Sequence, residues 1–187
     1  MRTVLVLVLA LAQFSSARQA LDLGRTRDQA LFDSFNRGYE LPVNGALDRA
    51  EIITEFRRAV LLVRDRVNIG DFGWTERDLT TAMAPFAGQV AFVAEVRLNP
   101  LHTFAKPPSY ELYVETGPKT KPLAAASLRR DPIFPPGLGV GNGFVGVRLE
   151  GAFARADIEA AKAPMLTVTD EKATILWQAR IDLSRYR

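Results

Sequence analysis

The chain has no cysteine and a single histidine among its 187 residues. Lacking cysteine, it can form no disulfide, thiol nucleophile, thiolate metal site or lipidated N-terminal cysteine. The one histidine, His102, has no partner of the right type: Gly-x-Ser-x-Gly, His-x-x-Glu and paired-histidine spacings are all missing. It reads as a solvated or locally hydrogen-bonded side chain in a 99–108 loop. No catalytic residue, metal ligand or cofactor is assigned. A large charge excess of one sign is missing too. Lys+Arg 24 against Asp+Glu 21 leaves +3, carried mostly by arginine, and that is too little to argue for nucleic acid. Past residue 17 no apolar run is long enough to cross a bilayer, so the mature chain is expected to have no transmembrane segment.

A leader pattern opens the chain. Met1-Arg2-Thr3 is a short cationic start, and 4–12 is an unbroken apolar run. Gln13-Phe14-Ser15-Ser16-Ala17 then places small residues at the −3 and −1 positions of a cut after Ala17. The sequence therefore predicts a signal peptide over 1–17 and export to the periplasm or the medium. An exported chain without cysteine suits a bacterial envelope better than a disulfide-stapled secreted domain. After the leader, 18–45 reads as a helix and linker, and 46–187 as one sheet-based domain.

The centre of that domain is 88–98. Val90, Phe92, Ala94, Val96 and Leu98 share one face at period two, with Gln89, Glu95 and Arg97 on the other. Ala91 and Val93 make the second face half-apolar, which fits a strand inside an antiparallel sheet. Strands are also predicted at 110–116 and 143–154, where Gly151 is a candidate bulge. A hairpin is expected at 166–169 and 173–183, turning at Asp170-Glu171-Lys172, with one or two helical turns before it at 157–163.

Ahead of the central strand the signals are helical. Thr26 and Gln29 have capping-box spacing for a helix over 27–37, docked by Leu31 and Phe35 and ended by Gly38. Thr75 and Asp78 repeat that spacing, with Trp74 placed to staple Leu79, and Pro85 ends the segment. Stretch 47–67 supports two readings. As a helix it starts at Asp48 with Glu51 at N3 and buries Ile52, Ile53, Phe56, Ala59, Val60 and Val63, pairing Arg57 and Arg58 with Glu51 and Glu55 on its surface. As a strand it uses the doubly apolar run 59–63. The predicted fold class follows: α+β leaning mainly β, N-terminal helices followed by an antiparallel β-sandwich-like domain. The alternative is an all-β immunoglobulin-like sandwich with 47–67 as a strand.

Three groups could carry function. Gly137-Leu138-Gly139-Val140-Gly141-Asn142-Gly143 looks like a phosphate loop, but no strand leads in, no helix follows and no lysine is placed for it. It reads as a turn. Asp71, Glu76 and Asp78 beside Trp74 are the one local carboxylate cluster with an aromatic that could stack on a sugar, although Glu76 and Asp78 also suit a helix start. Stretch 116–142 reads as a long Pro- and Gly-rich loop, or one hiding a short edge strand near 124–128, and carries Lys119, Lys121, Arg129 and Arg130. These four are the candidate binding residues. The expected function is an exported non-enzymatic binding or structural module of the bacterial cell envelope, with an envelope protein or polysaccharide as partner. A carbohydrate-active hydrolase using a carboxylate pair, and a binder of anionic surface polymer through 116–142, are the alternatives.

Overall fold

The computed structural model describes residues 16–99, 106–117, 120–135 and 143–186. The leader up to residue 15, His102, Lys119 and most of the glycine-rich stretch lie outside the described residues. Two compact units form. Residues 16–38 and 53–87 make a helical unit, and 39–52 with 88–186 make a sheet unit.

The helical unit contains α1 (16–24), α2 (Gln29–Arg37), α3 (Glu55–Asn68) and α4 (Glu76–Met83). Its core is Ala20, Leu21, Phe32, Ala59, Val60, Val63 and Leu79, with Trp74 packed alongside. Helix α4 begins as its sequence predicts, in a capping box between Thr75 and Asp78. Helix α2 begins later than predicted. Asp28, not Thr26, accepts from the N–H of Leu31, while Thr26 accepts from the N–H of Asp28. The shift turns Phe32 inward and leaves Leu31 51% exposed. Gly38 keeps a right-handed φ of −61, so the left-handed ending is not used.

Stretch 47–67 is neither of its two readings. Strand β1 (Leu47–Ile53) runs directly into α3, with Thr54 as the N-cap between them. Leu47, Ala50 and Ile52 go to the sheet core, so Asp48 is committed to a strand, where it pairs with Arg97 instead of capping a helix. Glu51 is likewise a buried strand residue next to Arg49. Arg57, expected on a helix surface, is 1% exposed. The junction rests on the Thr54 hydroxyl, which accepts from the N–H of Arg57 at 3.3 Å. Thr54→Ala should cost about 1–2 kcal/mol, the upper range for a cap because the site is buried, while Thr54→Ser should recover most of it. Urea denaturation of both variants would measure this.

The sheet unit is a pair of antiparallel four-stranded sheets, in the orders β1-β2-β6-β5 and β4-β3-β7-β8. The strands are β2 (Gln89–Arg97), β3 (Glu111–Glu115), β4 (Leu123–Ala124), β5 (Ser127–Ile133), β6 (Gly146–Ala154), β7 (Met165–Thr169) and β8 (Ile175–Arg180). The α+β sandwich-like class is thus what forms. Strand β2 lies inside its sheet, paired with β6 from Gln89↔Ala154 to Arg97↔Gly146. Val90, Phe92, Ala94 and Val96 enter the core with Leu112, Val114, Leu149, Phe153, Leu166, Val168 and Trp177. The pairing of β2 with β6 runs through Gly151 without a shift, so no bulge forms there. A Cβ at Gly151 would stand 3.0 Å from Leu112 Cδ2 and 3.1 Å from the Phe153 ring. The glycine leaves room for those two side chains.

Stretch 116–142 is not a single loop, since it holds β4 and all of β5. The 170–174 turn is held by Asp170 Oδ1, which accepts from the N–H groups of Lys172 and Thr174. Those bonds, led by the one to Thr174, lower the carboxyl pKa of Asp170. After β7 and β8 the chain ends in a 3-10 turn, Leu183–Arg185, and the helix α5 (Arg155–Glu159) follows β6.

Candidate functional site

Of the four sequence-predicted binding residues, Lys121, Arg129 and Arg130 are among the described residues. Arg129 and Arg130 are on strand β5, where alternation sends them to opposite faces. Arg129 pairs with Asp131 at 2.7 Å and with Glu150 at 3.4 Å. Arg130 donates to the carbonyl of Tyr110 and to Glu111, tying β5 to the start of β3. Both guanidiniums already face carboxylates. Lys121 is exposed ahead of β4, and Lys119 lies outside the described residues.

The carboxylate cluster is also occupied. Asp78 Oδ2 accepts from the N–H of Thr75 at 2.9 Å and from its hydroxyl at 2.7 Å. The backbone bond lowers the Asp78 pKa most, the opposite direction from what a general acid requires. Asp71 accepts from the N–H of Gly73 and stands 3.9 Å from Arg66. The Arg66 guanidinium lies 4.8 Å from the centre of the Trp74 ring, so that ring face is already stacked and not free for a sugar.

A site not singled out by the sequence forms at the end of β8. Helix α5, the turn through Pro164, the last residue of β8 and the 3-10 turn enclose an open cleft of about 670 Å³. Ile158, Ile181 and Leu183 give it a buried apolar floor. Lys162, Arg180, Asp182, Ser184 and Arg185 supply its polar groups. Asp182 caps the 3-10 turn, accepting from the Ser184 hydroxyl at 2.6 Å and from the Ser184 N–H at 3.2 Å. The hydroxyl bond is the main cause of its lowered pKa, and Arg185 and Arg180 add to the effect. Glu159 is neutralised by Arg155 at 2.7 Å.

No family model, curated protein or solved structure matches this chain. The cleft has to be read from its own chemistry. No carboxylate among the described residues lies within ion-pairing reach of Lys162, Arg180 or Arg185. With Glu159 paired, three cations face the single carboxylate of Asp182, an excess of two positive charges. That carboxylate is itself consumed by Ser184. Several other arginines are spent on structure: Arg64 donates to the carbonyl of Thr26 and to Gln29, and Arg25 to the carbonyls of Phe72 and Trp74. The only local hint in the sequence is Arg180-x-Asp182-x-x-Arg185.

The helical unit has its own cavity, about 300 Å³, lined by Ala17, Phe56, Ala59, Leu79 and Met83, with Glu55 and Thr80 as its main polar side chains. Among the described residues no group of three His, Cys, Asp or Glu side chains is placed to hold a metal ion, and no helix is long and apolar enough to cross a membrane.

Proposed function

We propose that this chain is an exported, non-enzymatic binding module of the bacterial cell envelope, and that it takes an anionic ligand at the cleft beside β8. The observation that carries the reading is the set of three cations, Lys162, Arg180 and Arg185, around one cleft. Asp182 is the one carboxylate acting on them, and none among the described residues is in a salt bridge with them. An unpaired surface cation costs little alone, but three converging on one opening raise the local concentration of anions and steer them in. The apolar floor and the satisfied Asp182–Ser184 turn make the arrangement preorganised. A hydrolase built on Asp71, Glu76 or Asp78 has less support, because Asp78 is held ionised in a capping role. The positions of the basic groups move the anion-binding idea from 116–142 to the cleft.

Titration calorimetry with tripolyphosphate tests the site. The triple variant Lys162→Ala/Arg180→Ala/Arg185→Ala should bind roughly 100-fold more weakly, since each charge-assisted bond is worth about 1.5–3 kcal/mol before mutual coupling. Lys121→Ala should bind as the parent does. Affinity of the parent should fall steeply with added salt. Undiminished binding by the triple variant, or a larger loss from Lys121→Ala, would move the site away from the cleft. Export is tested separately, by N-terminal sequencing of the chain recovered from a periplasmic fraction. A start at Arg18 supports it, and an intact Met1 in the cytoplasm overturns it.

A further inference from the structure

The cleft opens beside a sheet edge that is covered at Leu176 and open at Gln178 and Arg180, and the two together define a ligand class. Strand β8 is last in its sheet. Ile181 donates its N–H to the carbonyl of Pro164 at 2.9 Å, which makes 181/164 a hydrogen-bonded pair. In an antiparallel ladder such pairs alternate, so with the register Met165↔Arg180, Leu166↔Ala179, Thr167↔Gln178, residues 179 and 177 bond to β7. The N–H and C=O of Leu176, Gln178 and Arg180 then face away from it. Leu176 confirms the parity, because its carbonyl accepts from Asn44 Nδ2 at 3.2 Å. Gln178 and Arg180 are exposed, and their outward backbone groups have no partner among the described residues.

The other edges are guarded. Residues 39–41 cover β1, with Leu41 donating to the carbonyl of Ala50 and Ile52 to that of Tyr39. Strand β5 carries Pro132 and the Arg129–Asp131 pair, two devices that discourage edge pairing. Strand β4 is only two residues long. At β8 an incoming strand would find four backbone groups at Gln178 and Arg180, and then the cations. A residue pairing with Arg180 shares its face, with Cβ atoms about 4.5–5.5 Å apart. An acidic side chain there meets Arg180 directly, and the next acidic residue on that face is carried toward Lys162 and Arg185.

We propose that the anionic ligand is an extended acidic peptide segment of a partner protein, added antiparallel to β8 at Gln178–Arg180 with its carboxylates on Lys162, Arg180 and Arg185. This deepens the anion-cleft reading and rests on it. Strand addition supplies backbone hydrogen bonds without sequence demands, and the cations supply the selection for acid.

The test uses an octapeptide of alternating Val and Asp, titrated into the purified chain, and two methylated versions of it. In an antiparallel pair the Asp residues opposite Gln178 and Arg180 turn their own N–H groups to β8. N-methylation of the Asp nitrogens should weaken binding at least tenfold, and N-methylation of the Val nitrogens should leave it within threefold. Gln178→Pro removes an outward N–H and spares the backbone bonds to β7, but it also deletes the amide bonds to Thr167 and Glu115. It is therefore compared with Gln178→Ala, which loses those bonds and keeps the N–H. Gln178→Pro should bind the peptide tenfold more weakly than Gln178→Ala, while tripolyphosphate binds both as before. Equal effects of the two methylation patterns, with tripolyphosphate still bound, would overturn the strand and leave the anion cleft standing. So would failure of the parent peptide to bind. Loss of both ligands from the parent chain would overturn both readings.

Discussion

Phe92→Ala is expected to cost the sheet unit about 4–5 kcal/mol, the top of the range for truncating a core phenylalanine. The position explains the magnitude. Phe92 is fully buried in the middle of β2, edge-on to Phe153 at 5.6 Å between ring centres. Its cross-strand partner is Gly151, which has no side chain to move into the space left behind. Leu112 and Phe153 already fill the room above that glycine, so the cavity cannot close cheaply. For a unit of between about 100 and 150 residues each kcal/mol shifts the melting temperature by roughly 4 °C, so a fall of about 16–20 °C is expected. The two tryptophans allow the measurement to be made in place: Trp177 is in the sheet core and Trp74 packs in the helical unit. Fluorescence of Trp177 in a Trp74→Phe background would follow the sheet unit alone. Phe92→Leu, which keeps most of the volume, should cost only about 1 kcal/mol. A loss below about 1 kcal/mol for Phe92→Ala would mean that the sandwich repacks around the hole.

The same strand shows what was legible. Period-two alternation in β2 survives in the structure because a strand interior to its sheet has its register imposed by the core. The start of α4 was legible because the Thr75–Asp78 box is a local device that needs no tertiary partner. Stretch 47–67 was not, since β1 and α3 meet at Thr54 with no glycine or proline between them. The apolar residues of the strand half, Leu47 and Ile52, then merge with those of the helix half, Phe56, Ala59, Val60 and Val63, into one ambiguous run. The helical face was read correctly from Phe56 onward, whereas Ile52 and Ile53, assigned to the same face, belong to β1. Strand β5 lacks alternation because it is an edge, with Arg129 and Arg130 on opposite faces and Pro132 tolerated only where no ladder bond is needed.

The candidate site was less legible than the fold. A basic stretch in sequence suggested a basic surface at Lys119, Lys121, Arg129 and Arg130. Pairing of β5 with β6 supplies Arg129 with Glu150, and the side chain of Arg130 reaches Glu111 of β3 in the other sheet. The three cations of the cleft come from a turn after α5, the end of β8 and the 3-10 turn at 183–185. No window of sequence contains all three. What makes Lys162, Arg180 and Arg185 a group is the antiparallel return of β8 past Pro164, a long-range contact invisible to local periodicity.

Gly24→Ala should damage the helical unit by about 3 kcal/mol, the upper end for overpacking. In an exposed helix the same change would favour folding by about 0.8–1 kcal/mol. Here sterics outweigh propensity. A methyl at Gly24 would stand 2.6 Å from Val63 Cβ, 2.7 Å from its Cγ1 and 2.8 Å from the carbonyl oxygen of Val60. Two of those atoms are fixed to the α3 backbone and cannot swing aside, so α1 itself must lift from α3. Val63→Ala removes only the Cγ1 contact and should therefore fail to rescue the variant, whereas a soft side-chain clash would be relieved by it. Trp74 fluorescence in a Trp177→Phe background, followed through urea denaturation, gives the measurement. A cost under about 0.5 kcal/mol would show that α1 slides freely, which the burial of Ala20 and Leu21 argues against. The effect should be the same with or without the leader, because a cut after Ala17 leaves Ala20, Leu21 and Gly24 all in place on α3.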